Sequence, residues 1–187
     1  MTAARYDVVV VGGGINGVGV AQAAAAAGHS VLLLEKSALA AGTSSKSSKL
    51  VHGGLRYLES YELGLVRESL RERALLLKLA PELVQLQTFC VPLYNSTRRS
   101  PLLLRTGLSL YWALSGLDNN ARFQSVPRRD WSNLDGLQTD ELRAVFRYTD
   151  ARTDDAALTR AVMKSAQSVG AELCCPAQMT SAQLTND

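Results

Sequence analysis

Four valines in a row, Val8 to Val11, follow Tyr6-Asp7 with no polar alternation. An unbroken β-branched run of this kind predicts a strand buried on both faces, as in a parallel sheet. Gly12-Gly13-Gly14-Ile15-Asn16-Gly17 comes next. Val18 to Ala27 is then almost wholly Ala, Gly and Val, which predicts a slim helix packed hard against a sheet. Gly28 stands where a helix C-terminal glycine belongs, and a second apolar run, Val31 to Leu34, ends at Glu35. Strand, glycine turn, helix, strand and acid fill about thirty residues, the size of one βαβ unit.

Beyond Glu35 the pattern changes. From Ala40 to Gly54, Gly, Ser, Thr and Lys dominate, which reads as a loop with many donors. Leu63, Val66, Leu70 and Leu77 fall near helical spacing and predict a helix from about Glu59 to Leu79, stopped at Pro81. Thr88 to Tyr94 and Val145 to Thr149 read as short strands. Pro101 to Leu117 is apolar and aromatic, with Arg98, Arg99 and Arg105 at its start, and Asp118 to Asp140 shows no clear period. Asp154 or Asp155 is placed to cap a helix running to about Val169, closed by Gly170. Ala171 to Cys175 reads as a last, buried strand. The expected class is α/β: residues 1–58 start a dinucleotide-binding domain, 59–145 form an inserted helical, substrate-cap segment, and 146–187 return to the first domain.

Composition narrows this picture without redirecting it. At 187 residues, 47% hydrophobic and 20% charged, the chain has the makeup of a globular domain. Twenty basic against 17 acidic residues give a net charge of +3, which without a clustered basic face does not predict nucleic acid. No apolar run reaches the ~20 residues of a membrane span, and no signal peptide opens the chain. Three cysteines, Cys90, Cys174 and Cys175, with no CxxC spacing support neither a disulfide framework nor a metal site. The expected setting is the cytoplasm.

The chemistry lies in the glycine turn. Gly12 allows the tight turn out of the strand, Gly14 lets the backbone approach a pyrophosphate, and Gly17 lets helix and strand pack closely. The helix N-terminus then offers unpaired N–H groups to phosphate. Glu35, 18 residues after Gly17, is placed to hold ribose hydroxyls. An acid there, in place of an arginine, favours FAD or NAD over NADP.

The segment Thr43-Ser44-Ser45-Lys46-Ser47-Ser48-Lys49-Leu50-Val51-His52-Gly53-Gly54-Leu55-Arg56-Tyr57-Leu58 resembles the signature of the FAD-dependent, respiratory glycerol-3-phosphate dehydrogenases. These belong to the wider glycine-oxidase-like flavoprotein group. The opening Gly-Gly-Gly-Ile-Asn-Gly-Val-Gly is similar to that family's FAD turn. The two blocks cover residues 6–59, and a looser similarity runs to about Leu158. The resemblance implies a Rossmann-like FAD-binding fold, incomplete in this chain. It implies FAD contacts from Gly12, Gly13, Gly14, Ile15, Asn16 and Gly17, from Glu35 and Lys36, and from Thr43, Ser44, Ser45, Ser47, Lys49 and Leu50. His52, Gly53 and Gly54 complete that set, and Arg56 and Tyr57 would line the substrate pocket.

Residue chemistry agrees. Hydroxyls and N–H groups of Thr43 to Ser48 can bond a pyrophosphate and ribityl chain, and Gly53-Gly54 permits close backbone approach to a flavin. Lys49, His52 and Arg56 add positive charge for a reduced flavin and a phosphorylated substrate. Solvated lysines and a structural histidine are the simpler alternatives. Ala157 stands where the family segment has arginine, and Asp154 and Asp155 read as helix caps. No catalytic base is identified.

The implied reaction is oxidation of sn-glycerol 3-phosphate to dihydroxyacetone phosphate, with electrons passed to a membrane quinone. Two alternatives stand beside it: a related oxidase using oxygen, and a truncated, non-catalytic fragment. Family members are longer, so this chain alone is expected to be inactive, with apolar surface exposed. Oligomer formation is left open. Arg98 to Leu117 has the makeup either of an interfacial helix or of a buried amphipathic one. The first would place the protein peripherally on the inner face of the cytoplasmic membrane.

Overall fold

The four valines form the first strand in the computed structural model, which describes residues 5–134 and 136–184. The elements run β1 (Val8–Val11), α1 (Ile15–Ala26), β2 (Val31–Leu34), β3 (Leu50–Val51), α2 (Leu63–Leu79), β4 (Val84–Tyr94), α3 (Pro101–Leu114), β5 (Phe123–Ser125), β6 (Leu142–Thr153), α4 (Asp155–Ser168) and β7 (Glu172–Cys174). They fall into two units, one running up to Lys49 and resuming at Asp154, the other spanning Leu50–Thr153.

In the first unit β1, β2 and β7 make a parallel sheet in that order. Val10, Val31 and Leu33 meet Val18, Ala21 and Ala25 of α1 and Met163 and Ala166 of α4 in one core. The Ala-rich face of α1 is what lets the second helix approach, because a one-carbon side chain adds little thickness between packed backbones. Gly28 (φ 89°) and Gly170 (φ 104°) close the two helices in the left-handed conformation expected of them. β1 differs from its expectation. Val9 and Val11 are 51% and 55% exposed, because α1 and α4 cover only the Val10 face.

The second unit is antiparallel. β6 lies between β4 on one side and β3 and β5 on the other. Both long strands exceed the short runs expected from sequence. β4 starts at Val84 and β6 covers Leu142–Thr153, because polar residues such as Gln85, Gln87, Arg147 and Arg152 occupy exposed ladder positions and hide the apolar alternation. α2 begins at Leu63, not Glu59, since Leu55–Leu58 is a 3-10 turn and Tyr61 (φ 60°) breaks the helical path. The unit borders lie at 49/50 and 153/154, where the sequence reading put 58 and 146. β3 pairs with Arg152 and Ala151 and so belongs with the ladder. The aperiodic 118–140 region carries β5 and two 3-10 turns.

α3 is buried along one side only. Leu108 and Tyr111 are buried, while Leu102 and Leu103 are 73% and 59% exposed. Cys174 and Cys175, expected in a buried strand, are exposed, as is Cys90, because β7 lies at an edge of the parallel sheet. Among the described residues no helix is long and apolar enough to cross a membrane, and no cluster of metal-ligating side chains occurs.

Candidate functional site: a glycine turn and a cavity

In the first unit, Gly12 (φ 106°) turns the chain out of β1, and its N–H donates to the Leu34 carbonyl at 2.8 Å. A Cβ at Gly17 would overlap the Gly12 carbonyl oxygen, so only glycine allows the helix to start this close to the strand. Gly13 is similarly enclosed, with Leu39 Cδ2 only 2.7 Å from where a Cβ would stand. Gly14 caps α1 in extended conformation and brings no capping side chain of its own, and no acid lies in the first turn. First-turn N–H groups have no partner inside a helix. Here the N–H of Ile15 donates to Ser44 Oγ at 2.9 Å, which leaves the others of that turn to an anion. The donor set and the missing Cβ atoms fit a pyrophosphate.

Glu35 is buried at the end of β2. Its Oε2 accepts from the Gly13 N–H at 2.7 Å, and its Oε1 accepts from the Ser37 N–H at 2.8 Å and the Ser37 hydroxyl at 3.0 Å. The Gly13 bond, then the Ser37 bonds, hold the carboxyl below the ordinary carboxylate range. Glu35 therefore shapes the glycine turn itself. A carboxylate has about four acceptor sites, so room for a ribose hydroxyl remains. Lys36 is exposed beside it.

The hydroxyl loop is divided in its duties. Thr43 is exposed, and Ser45 Oγ donates to the Gly42 carbonyl at 3.1 Å. Ser47 donates through its hydroxyl at 2.7 Å, and through its N–H at 3.2 Å, to Asp155 Oδ2. The Lys49 ammonium donates to Asp155 Oδ1 and, at 3.0 Å, to the Ser45 carbonyl. The Lys49 and Ser47 bonds hold Asp155 far below the ordinary carboxylate range. Asp154 is the N-cap of α4, accepting from the Ala157 N–H at 2.9 Å. Asp155, read from sequence as another cap, instead ties the loop down. No local sequence signal marks that role, which joins residues more than a hundred positions apart.

In the second unit, Leu50, His52 and Arg56 line a cavity of about 890 Å³. Leu55, Leu104 and Leu110 give it an apolar wall, and Tyr148 and Asp150 close one side. Arg56 is exposed and, among the described residues, forms no ion pair. His52 Nδ1 accepts from the Gly54 N–H at 2.9 Å, so the neutral ring carries its proton on Nε2 and offers a donor. The glycines here serve the chain's own packing. A Cβ at Gly53 would strike Leu70 and, at 2.6 Å, the Tyr111 hydroxyl. One at Gly54 (φ 74°) would strike the Tyr57 ring. Tyr57, expected in the substrate pocket, packs over Gly54 at 40% exposure and is not among the residues lining the cavity.

Beneath this turn lies a buried polar chain. The Gly53 N–H donates to the Tyr111 hydroxyl at 2.8 Å, which donates to Asp150 Oδ2 at 2.8 Å. Arg73 Nη1 donates to Asp150 Oδ1 at 2.9 Å. Burial, then the Asp150 charge and hydrogen bond, push the Tyr111 phenol well above its ordinary value, so it stays a donor.

The sequence profile of the FAD dependent oxidoreductase family matches residues 7–187, and the chain belongs to that family. A glycerol-3-phosphate dehydrogenase of Pseudomonas tolaasii is 44% identical over 97% of this chain and 34% of its own. An aerobic glycerol-3-phosphate dehydrogenase of Staphylococcus epidermidis is 39% identical over 90% of this chain and 30% of its own. Among solved structures, the glycerol-3-phosphate dehydrogenase of Bacillus halodurans, complexed with FAD, superposes with a TM-score of 0.65 at 26% identity, covering 99% of this chain and 29% of that one. Glycine oxidase from Geobacillus kaustophilus shares the fold, with a TM-score of 0.67 at 24% identity, covering 92% of this chain and 47% of its own. The chain spans about a third of the length of the curated relatives it matches.

Proposed function

We propose that this chain supplies the FAD-binding turn and part of the substrate-binding surface of an FAD-dependent glycerol-3-phosphate dehydrogenase. The observation that carries the reading is the turn at Gly12–Gly17, closed to any larger side chain and ending in uncapped helix N–H groups. The relatives' names point to the substrate. FAD, when bound, would supply the acceptor for the hydride of the secondary alcohol carbon, the hydroxyl proton passing to solvent. In the first unit the α1 N-terminus and the loop around Ser44 hold the pyrophosphate, and Glu35 takes a ribose hydroxyl. In the second unit Arg56 takes the substrate phosphate as a charge-assisted pair, and His52 donates through Nε2–H. A membrane quinone is the proposed acceptor, with peripheral membrane contact through the exposed leucines of α3.

The test is FAD titration of the purified chain, followed by glycerol 3-phosphate. One flavin per chain is expected, with a substrate-induced shift of the flavin absorbance that Arg56→Ala weakens about tenfold or more in affinity. Absence of flavin uptake overturns the reading. Dithionite-reduced flavin reoxidised faster by dioxygen, with peroxide formed, than by a quinone analogue points instead to an oxidase.

A further inference from the structure

We propose that Tyr111, Asp150 and Arg73 form a positioning network that fixes the His52-Gly53-Gly54 turn from below and so sets how tightly the cavity lined by His52 and Arg56 holds a phosphorylated alcohol. The inference rests on the reading of that cavity as substrate-binding surface given above. Three elements converge on one small peptide. Tyr111 comes from α3, Asp150 from β6 and Arg73 from α2, and all three are at most 1% exposed.

The direction of each bond is fixed. The Gly53 N–H can only donate, so the Tyr111 hydroxyl accepts there and spends its own proton on Asp150 Oδ2. Asp150 Oδ1 takes Arg73 Nη1 and, at 3.1 Å, the N–H of Ala151. Both carboxylate oxygens are thus occupied and the carboxylate cannot swing away. The packing agrees with the bonding. Leu70, one turn before Arg73 on α2, and the Tyr111 hydroxyl fill the space where a Gly53 side chain would stand.

The upper side of the turn is set as a result. With the Gly53 N–H engaged by Tyr111 and the Gly54 N–H by His52 Nδ1, neither glycine donates to a ligand. What the turn offers is its close-approaching backbone and the His52 Nε2–H, and both depend on the peptide staying where the network holds it. Buried hydrogen-bond networks of this kind act through more than pairwise contacts.

Tyr111→Phe removes both hydroxyl bonds and keeps the ring. Trp131→Phe is the control. It deletes another buried bond of the same unit, from Trp131 Nε1 to the Val126 carbonyl at 3.1 Å, in a separate core cluster. The 187-residue chains are compared by amide hydrogen exchange and by calorimetric titration with glycerol 3-phosphate. Tyr111→Phe is expected to speed exchange at Gly53 and Gly54 and to weaken glycerol 3-phosphate binding about tenfold. Trp131→Phe is expected to change neither. Unchanged exchange in Tyr111→Phe overturns the inference, and so does equal weakening of binding by the two variants. If the wild-type chain binds glycerol 3-phosphate and Tyr111→Phe binds it as tightly, the inference alone fails. If the wild-type chain binds none, the substrate reading fails and this inference falls with it.

Discussion

Replacing Arg73 by methionine would remove one side of a charge pair with side chains only 1% and 2% exposed. The Asp150 carboxylate would keep the Tyr111 hydroxyl and the Ala151 N–H but lose its counter-charge, and stranding a buried charge costs about 3–5 kcal/mol. The retained bonds argue for the lower end, about 3 kcal/mol. The pair itself is less favourable than its geometry suggests. Arg73 Nε is buried with no partner among the described residues, and the contact from Nη1 to the Thr149 carbonyl is long at 3.4 Å. The double variant Arg73→Met/Asp150→Asn removes both charges together and should lie within about 1.5 kcal/mol of wild type. Urea unfolding followed by tryptophan fluorescence measures this directly. Both tryptophans, Trp112 and Trp131, lie in the 50–153 unit and report its unfolding alone. A loss below about 1 kcal/mol for Arg73→Met, or a double variant that loses the sum of the two single costs, would refute the argument.

Gly17→Ala places a methyl group on the Gly12 carbonyl oxygen and should cost the first unit about 1–3 kcal/mol by overpacking, together with its FAD affinity; thermal unfolding and flavin titration read the two losses. Glu35 has its carboxyl held below the ordinary value by Gly13 and Ser37, so its contribution is fully present above the unfolded value of about 4.3 and is lost as pH falls through the lower folded value. Acid titration by circular dichroism should therefore show wild type and Glu35→Gln converging below about pH 4, and a constant difference would contradict the assignment. Cys90, Cys174 and Cys175 are exposed, so an aromatic disulfide reagent should titrate three thiols without denaturant.

The opening βαβ unit was legible because each of its signals is local. Four valines, a glycine turn and an alanine-rich helix state their structure within a few residues of one another. The expected burial of Val9 and Val11 failed because burial depends on what covers a face, and a strand's own sequence does not specify that. The second unit was harder for the opposite reason. In α2 the buried stripe is Val66, Leu70 and Arg73, and a pattern reading counts the arginine as surface. Its partner Asp150 lies 77 residues away, just past the end of the strand expected at Val145 to Thr149. The candidate loop was recognisable as a block of residue types, yet the structure assigns Ser47 and Lys49 to Asp155 and Gly53 to Tyr111, through contacts that sequence spacing does not encode.

The border at Lys49 and Asp154 has a consequence for how such a chain can be cut. Within the second unit, entry and exit run side by side, Leu50 opposite Arg152 and Val51 opposite Ala151, about 5 Å apart as antiparallel neighbours are. Within the first unit, the stumps on either side of the break are held by Lys49 and Asp155. The 104 residues of Leu50–Thr153 thus form a cassette whose ends nearly meet. A host with its own seam already latched loses little loop entropy when such a cassette is shortened, lengthened or exchanged. The second unit can then be rewritten in one block while the glycine turn is left as it is.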